Sequence, residues 1–320
     1  MAQIPSLEFE RPIIELERKI EELKGFSAHK DIDISGEVKR LEEKLANIKK
    51  DIYENLTPWQ RVQIARHPKR PYTLDYIEML MTDFIEIHGD RHFADDKAIV
   101  CGLGRLDGEN VVVIGHQKGK DTKENLERNF GSAHPEGYRK AIRAMKLAEK
   151  FGLPIVIFID TPGAYPGIGA EERGQAEAIA YNLREMSDLK TVIIAFVIGE
   201  GGSGGALGIG IADKVYVLEN AYYSVISPEG CAAILWKERS KAPEAAAALK
   251  LTAKDLVGMQ IIDGMIKEPL GGAHRNPQET AGNIRKTIKR DLASLKTLAK
   301  EKLVDMRYAR IRSIGVFKES

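Results

Sequence analysis

Hydrophobic residues near the start of the chain recur at alternating steps of three and four, a spacing that places them on one face of a helix. The two series are Ile13, Leu16, Ile20 and Leu23, and then Val38, Leu41, Leu45, Ile48 and Ile52. Residues 25–36 are long enough to reverse the chain, so the pattern predicts an antiparallel helical hairpin with solvated, charged outer faces. Because a narrow apolar seam is a weak core, we expect the hairpin to pack on the main domain or on a second subunit.

The rest of the chain alternates strand-like and helical stretches, which is typical of an α/β fold. Residues 98–106 and 111–117 are strand-like, and the turn-forming segment 107–110 joins them. Helices are predicted over residues 74–88, 135–151 and 276–299. These elements divide the chain into a hairpin (1–58), a linking helical segment (59–95), a main core (96–270) and a C-terminal helical segment (271–320).

Two continuous apolar runs in the middle of the chain, residues 154–160 and 191–198, are each followed by a glycine-rich turn and a helical segment. A continuous Val/Ile run is typical of a buried parallel strand, and α/β proteins bind ligands beyond the carboxyl ends of such strands. Because glycine has no Cβ, a turn built from it exposes backbone N–H groups that can bind a phosphate or an oxyanion. The sequence therefore places the candidate site near Gly163 and residues 199–205.

Composition restricts the classes of function. The chain of 320 residues is 43% hydrophobic and 30% charged, and its formal net charge of +1 argues against a general nucleic-acid or membrane-surface role. No apolar run approaches the roughly 20 residues that span a bilayer, and no secretory signal pattern opens the sequence. Cys101 and Cys231 are isolated, so we expect neither a disulfide framework nor a bound metal, and a reducing cytoplasmic location fits best.

The second glycine-rich turn satisfies more than one motif. Residues 199–204 match GxGxxG, with Glu219 about twenty residues later, but a dinucleotide-binding fingerprint normally opens its domain, and here several strands precede it. Residues 201–205 match GxSxG, in which Ser203 would be a nucleophile and His274 a triad partner. Because glycines continue on both sides of that motif, we favour Ser203 as a turn residue.

Longer strings in the sequence resemble the carboxyltransferase alpha subunits of bacterial-type, multi-subunit acetyl-coenzyme A carboxylases. The resemblance covers nearly the whole chain and rests on segments 9–12, 65–76, 115–119, 129–131, 135–140, 158–167, 169–175, 199–206, 227–231 and 268–276. It implies an α/β, crotonase-like (ClpP-type) core with an N-terminal antiparallel helical hairpin and a C-terminal helix. It also implies that the chain supplies half of an active site, and that a beta subunit with a zinc ribbon supplies the other half.

The reaction implied by the resemblance moves a carboxyl group from N1 of carboxybiotin to the methyl carbon of acetyl-CoA. The product is malonyl-CoA, and the step commits carbon to fatty-acid synthesis. Carboxybiotin would be carried by a biotin carboxyl carrier protein, with biotin carboxylase in the larger complex and an α2β2 carboxyltransferase. No cofactor would be bound covalently to this chain, and zinc is expected only on the beta subunit.

The resemblance assigns the backbone N–H groups of Gly204 and Gly205 to the ureido oxygen of biotin, where negative charge develops as the carboxyl group leaves. Substrate would also contact Gly163, Ala164, Gly201, Gly202, Ser203 and Ala206. Lys118 and Lys120 are candidates to bind coenzyme A phosphates, although an exposed basic loop would also explain them. Two other functions stay open: a self-contained crotonase-type acyl-CoA hydratase or hydrolase, and a non-catalytic assembly scaffold.

Overall fold

The computed structural model describes residues 7–30 and 35–315, and it confirms the α/β class. The helices are α1 (Arg11–Lys30), α2 (Ser35–Glu54), α3 (Pro58–Ala65), α4 (Thr73–Leu80), α5 (Thr122–Glu127), α6 (Pro135–Phe151), α7 (Ile168–Glu172), α8 (Gln175–Asp188), α9 (Ser203–Leu207), α10 (Pro228–Leu235), α11 (Ala242–Ala248), α12 (Ala253–Gly258), α13 (Pro277–Leu295) and α14 (Lys300–Arg312). The strands are β1 (Thr82–Glu86), β2 (Ile99–Leu106), β3 (Glu109–His116), β4 (Ile155–Thr161), β5 (Ile193–Gly202), β6 (Lys214–Leu218), β7 (Tyr222–Ser224) and β8 (Gly264–Ile266). The two continuous apolar runs of the sequence are thus confirmed as strands β4 and β5.

The N-terminal helices α1 and α2 form the predicted antiparallel hairpin. Ion pairs join Lys24 to Glu42 and Lys49 to Glu17, each at 2.6 Å, so residues late in one helix lie beside residues early in the other. The base of the hairpin packs on the following helix in an apolar cluster that contains Ile13, Tyr53, Leu56 and Ile64. The structure therefore confirms that the hairpin packs on the rest of the chain.

The eight strands of the described chain form one sheet in the order β1-β2-β3-β4-β5-β6-β8, and β7 pairs with the end of β5. The pairs β1–β2 and β2–β3 are antiparallel, and the others are parallel. Asp107 and Gly108 have φ values of 49° and 87°, which the two-residue hairpin between β2 and β3 requires. Strands β4 and β5 are buried along their whole length, which explains their continuous apolar sequences.

The parallel part of the sheet positions the candidate site. The pairings Ile114↔Ile157 and Ile157↔Ala195 place β3, β4 and β5 side by side. Their carboxyl ends therefore meet at one edge of the sheet. A hydrophobic cluster that runs from Tyr76 in α4 to Leu303 in α14 includes most of these strands. The segments that leave this edge consequently start from a rigid, buried base.

Two helix predictions are wrong in part. Helix α4 ends at Leu80, and residues 82–86 of the predicted helix form β1 instead, because they pair with β2 at the edge of the sheet. The predicted closing helix 276–299 is α13, which the Asn276 side chain caps and which ends at Leu295. A separate helix, α14, follows. Its sequence has little apolar periodicity, and the buried side chains of Leu303 and Arg307 attach it to the core.

Candidate active site

The two glycine-rich turns leave β4 and β5 side by side and touch each other. A Cβ on Gly205 would lie 2.5 Å from the carbonyl carbon of Gly163 and 2.6 Å from the nitrogen of Ala164. A Cβ on Gly202 would collide with the carbonyl oxygen of Pro162. Glycine is therefore required at both positions for the turns to interlock.

Beside this contact the turns border open space. An added Cβ on Gly163, whose φ is +153°, would meet no described atom within 4 Å, and on Gly204 the nearest atom would be a side-chain methyl at 3.6 Å. The Gly163 N–H donates to Thr161 Oγ1 at 3.1 Å, whereas Gly202, which precedes α9, makes no side-chain capping hydrogen bond. Because the first N–H groups of a helix have no partner within it, the backbone N–H groups of residues 203–205 are the candidate donors at these turns.

The other residues predicted to contact substrate lie in or directly below the same turns. Ala164 is half-buried beside Gly205. Gly201 and Gly202 are buried at the end of β5, where they pair with β7, and Ala206 is fully buried in α9. The structure thus brings the predicted glycine-turn residues together, with Gly201, Gly202 and Ala206 as buried supports.

Ser203 has a φ of +51° between β5 and α9, which is the strand–turn–helix geometry of a nucleophile. In the described part of the chain, however, no hydrogen bond joins its hydroxyl to a histidine or a carboxylate. His274 stacks instead on His67, with ring centroids 3.9 Å apart, and burial lowers the pKa of His274 to about 3. Burial also lowers the pKa of His116, which lies beside Gly205, to about 3. In the described part of the chain, Ser203 is therefore not a member of a Ser-His-carboxylate triad.

A buried charge cluster lies where the two turns begin. The Lys118 ammonium is 2.6 Å from Asp160 Oδ1 and 2.8 Å from Glu200 Oε2, and the Lys118 side chain is only 11% exposed. The exposed-loop interpretation is therefore wrong for Lys118, because the end of β3 directs this side chain between β4 and β5. Lys120 does lie on the surface, where its ammonium is 2.5 Å from Asp75 Oδ1.

Arg66, Tyr222 and Glu229 extend this cluster. Arg66 Nε lies 2.7 Å from Glu200 Oε1, the Tyr222 hydroxyl donates to the same oxygen at 2.6 Å, and Arg66 Nη1 lies 2.5 Å from Glu229 Oε1. Although burial opposes charge on Glu200, Lys118 and Arg66 lower its pKa to about 2. Burial also opposes charge on Lys118, but the two adjacent carboxylates raise its pKa above the ordinary value. Both groups therefore stay charged at neutral pH.

This charge cluster was not predicted from the sequence as part of the site. Its members come from the segments just after α3 and β3, from the ends of β4 and β5, and from β7 and α10, so no local spacing connects them. One signal was present: Asp160 and Glu200 each stand at or just beyond the end of an apolar run. A charged residue in that position needs a buried partner.

The described residues contain neither a metal-binding cluster nor a membrane-spanning helix. Among them no set of three or more His, Cys, Asp or Glu side chains is arranged to hold a metal ion. None of the helices over 7–30 and 35–315 has the length and apolar character needed to cross a membrane. What the turns do provide is backbone N–H donors beside open space, an arrangement that suits the stabilisation of a developing oxyanion.

Comparisons with known proteins show the family. A family model described as acetyl co-enzyme A carboxylase carboxyltransferase-like matches residues 6–315. A Thermus thermophilus protein named acetyl-coenzyme A carboxylase carboxyl transferase subunit alpha is 58% identical over 313 residues, which cover 98% of this chain and 99% of the relative. The protein of the same name from Anoxybacillus flavithermus is 59% identical over 314 residues, which cover 98% and 97%.

Solved structures support the fold at lower identity. A transcarboxylase 12S structure with bound methylmalonyl-coenzyme A has a TM-score of 0.57 and 20% identity, and the match covers 70% of this chain and 41% of that one. A Pseudomonas malonate decarboxylase hetero-tetramer has a TM-score of 0.56 and 15% identity, covering 68% and 90%. These neighbours confirm the crotonase-like fold. The family model and the sequence relatives show that the chain belongs to the family of acetyl-coenzyme A carboxylase carboxyltransferase alpha subunits.

Proposed function

We propose that this chain, together with a beta subunit, transfers a carboxyl group from carboxybiotin on a biotin carboxyl carrier protein to acetyl-CoA, giving malonyl-CoA. The bond between N1 of biotin and the carboxyl carbon breaks, a bond to the methyl carbon of acetyl-CoA forms, and the methyl proton goes to biotin. The observation that carries the proposal is the contact between the two glycine turns, which leaves open space beside the uncapped start of α9.

In this proposal, Gly204 and Gly205 donate their backbone N–H groups to the ureido oxygen of biotin. Negative charge develops on that oxygen when the carboxyl group leaves, and loss of one such donor costs about 3 kcal/mol in other enzymes. Gly163 and Ala164 form the facing wall, and Ser203 contributes to the turn and not to a covalent step. The methyl proton needs no side-chain base in this chain, because biotin accepts it.

A beta subunit would cover the turns and complete the site. Three large apolar side chains in segments next to the turns are exposed: Phe130 at 53%, Ile168 at 80% and Leu207 at 42%. Phe130 precedes Gly131, where an added Cβ would lie 2.9 Å from the Lys118 side chain. Exposed apolar residues grouped around a functional site are typical of an interaction surface. We therefore propose an α2β2 carboxyltransferase, with zinc on the beta subunit and biotin carboxylase in the larger complex.

Two finer assignments belong to the same proposal. Lys120 keeps its role as a candidate contact for coenzyme A phosphates, because its ammonium lies on the surface. Lys118 is no longer a candidate for such a contact, because its ammonium is paired with the carboxylates of Asp160 and Glu200. A cytoplasmic location agrees with Cys101 and Cys231, which are buried and not disulfide-bonded.

The test compares the purified chain, the purified beta subunit and their mixture for malonyl-CoA formation from acetyl-CoA and carboxylated carrier protein. We expect transfer only by the mixture, since one pair of glycine turns cannot hold both substrates. Robust transfer by the isolated chain would contradict the proposal. Hydration of an enoyl-CoA or hydrolysis of an acyl-CoA by the chain alone would favour a self-contained acyl-CoA enzyme. A stable but inactive complex would favour a scaffold.

A further inference from the structure

Strand β5 contains an irregularity just before the second glycine turn. The pairing Ile159↔Val197 is followed by Thr161↔Gly201, so β4 advances by two residues while β5 advances by four. Residues 198–200 therefore form a bulge. Bulges of this kind recur next to active sites, where they redirect the strand that contains them.

Buried side chains replace the backbone partners that the bulge removes. The Glu200 N–H donates to Asp160 Oδ1 at 2.9 Å, and Arg70 Nε donates to the carbonyl oxygen of Ile198 at 2.6 Å. Gly199 must lack a side chain, because a Cβ there would lie 2.5 Å from Asp160 Oδ1. On the side of β4, the shape of the bulge thus depends on two side chains, while on the other side Glu200 keeps regular pairing with Tyr222 of β7.

An ion pair fixes each of these side chains. Lys118 bridges Asp160 and Glu200 at 2.6 and 2.8 Å, and Arg70 forms a two-pronged pair with Glu268 at 3.0 and 2.5 Å. The side chains of Arg70 and Glu268 are fully buried, and those of Asp160 and Glu200 are at most 8% exposed. Such pairs resist displacement, since separating them would leave an unpaired charge in the interior.

We infer that Lys118 and Arg70 are positioning residues for carboxyl transfer. Arg70 acts on the bulge through the Ile198 carbonyl, Lys118 acts through Asp160 and the Glu200 side chain, and together they set the second glycine turn against the first. The turns interlock without space for one added carbon, so a small shift of β5 separates them. A displacement of about 1 Å can lower a rate about a hundredfold. The inference rests on the proposed function, because it concerns the donors assigned to biotin.

The test uses the complex with the beta subunit and measures kcat and the KM for acetyl-CoA. Lys118→Met should lower kcat about 30- to 100-fold, while the KM stays within about twofold because the buried Lys118 ammonium is paired with Asp160 and Glu200 and acts only on the donors assigned to biotin. Lys118→Arg keeps a cation between the two carboxylates and should recover most of kcat. If Lys118 only stabilised the fold, neither the fall in kcat at constant KM nor the recovery of kcat in Lys118→Arg would be expected.

Arg307→Met is the matched control. It breaks an equally buried pair, Arg307–Asp213, which contacts the opposite end of β5 through the N–H of Ile193. This variant should lower the urea midpoint at least as much as Lys118→Met and keep kcat within about twofold of the wild type. Equal losses of kcat in the two variants would overturn the inference. Near-normal kcat in a folded Lys118→Met complex would also overturn it.

If Lys118→Met does not assemble, Asp160→Asn decides the question. This variant keeps an Oδ1 acceptor for the Glu200 N–H and removes the charge that holds Lys118. A lower kcat at constant KM supports the inference, and an unchanged kcat overturns it. A wild-type complex that transfers no carboxyl group would refute the proposed function. An active wild type whose variants keep their kcat would instead refute only the positioning role of Lys118 and Arg70.

Discussion

The two ends of β5 are each held by a buried ion pair, but their backbones differ. At the amino end, Arg307 Nε lies 2.9 Å from Asp213 Oδ1, and the Ile193 N–H donates to Asp213 Oδ2 at 2.7 Å. The other Arg307 donors reach backbone carbonyls near the end of α8, so the pair attaches α14 to the sheet. At the carboxyl end, the Lys118 pair holds a bulge that leads into glycine turns.

The difference in backbone regularity indicates what each ion pair controls. The strand at the amino end keeps regular pairing, so loss of its ion pair affects how stably the chain folds. The strand at the carboxyl end departs from regular pairing with β4, and it is followed by Ser203 at a positive φ. Irregular backbone keeps its shape only where its surroundings fix it. We therefore expect changes at the amino end to alter stability and changes at the carboxyl end to alter rate.

Arg307→Met is expected to have the largest effect. It leaves Asp213 buried without its partner, and breaking a buried pair in this way costs about 3–5 kcal/mol of folding free energy. The measurement is the urea midpoint of the chain, with Lys302→Met on the exposed side of the same helix as control. An unchanged midpoint would contradict a stabilising role for this pair, and a lower kcat in the assembled complex would remove the contrast between the two ends.

Gly205→Val should have the next largest effect, and on rate. The new Cβ would lie 2.5 Å from the carbonyl carbon of Gly163, so the turns must separate and displace a backbone donor. Loss of one donor at about 3 kcal/mol corresponds to about a hundredfold lower rate. Carboxyl transfer and subunit association are measured on the same preparation.

The control for that substitution is Gly282→Val in α13, where an added Cβ meets no described atom within 4 Å. We expect this variant to transfer carboxyl groups at the wild-type rate. Near-normal transfer by an assembled Gly205→Val complex would refute the role of the second turn. If Gly205→Val fails to associate with the beta subunit and Gly282→Val does associate, the carboxyl end of β5 also controls assembly.

The pH dependence of the carboxyl end gives a smaller effect. The pKa of Glu200, about 2 in the folded chain, lies below its value of about 4.3 in the unfolded chain, so ionised Glu200 stabilises the fold above pH 4.3. This contribution is lost as the pH falls toward 2, and part of it is already lost at pH of about 3.3. The urea midpoints of the wild type and Glu200→Gln should therefore approach each other between pH 6 and that pH. A difference between the two urea midpoints that does not change with pH would show that the charge of Glu200 does not stabilise the fold.

The contrast between the ends also shows which features were predictable from sequence. Strands β4 and β5, the hairpin and helix α6 follow from local apolar spacing, and the glycine turns follow from their composition. Strand β1 and helix α14 could not be predicted in this way, because β1 is held by an edge pairing and α14 by the buried side chains of Leu303 and Arg307. The charge cluster around Lys118 could not be predicted either. Its residues meet only after β3, β4 and β5 have paired.

Ser203→Ala should have the smallest effect. The hydroxyl makes no hydrogen bond to a histidine or carboxylate in the described ranges, and the substitution keeps the backbone N–H groups of the turn. We expect transfer within about twofold of the wild type. Covalent labelling of Ser203 by a fluorophosphonate, with loss of turnover in the alanine variant, would restore the hydrolase hypothesis.

Ser203→Gly sharpens the same prediction, because glycine adopts a positive φ without steric cost. If Ser203 serves only the turn, glycine should relieve the strain of its φ of +51° and support transfer at least as well as alanine does. If the strained φ instead presents a nucleophile, both variants should lose activity together. A Ser203→Gly variant that is more stable and equally active would show that the backbone at this end of β5, and not the Ser203 hydroxyl, serves carboxyl transfer. The bulge and the interlocked turns indicate the same.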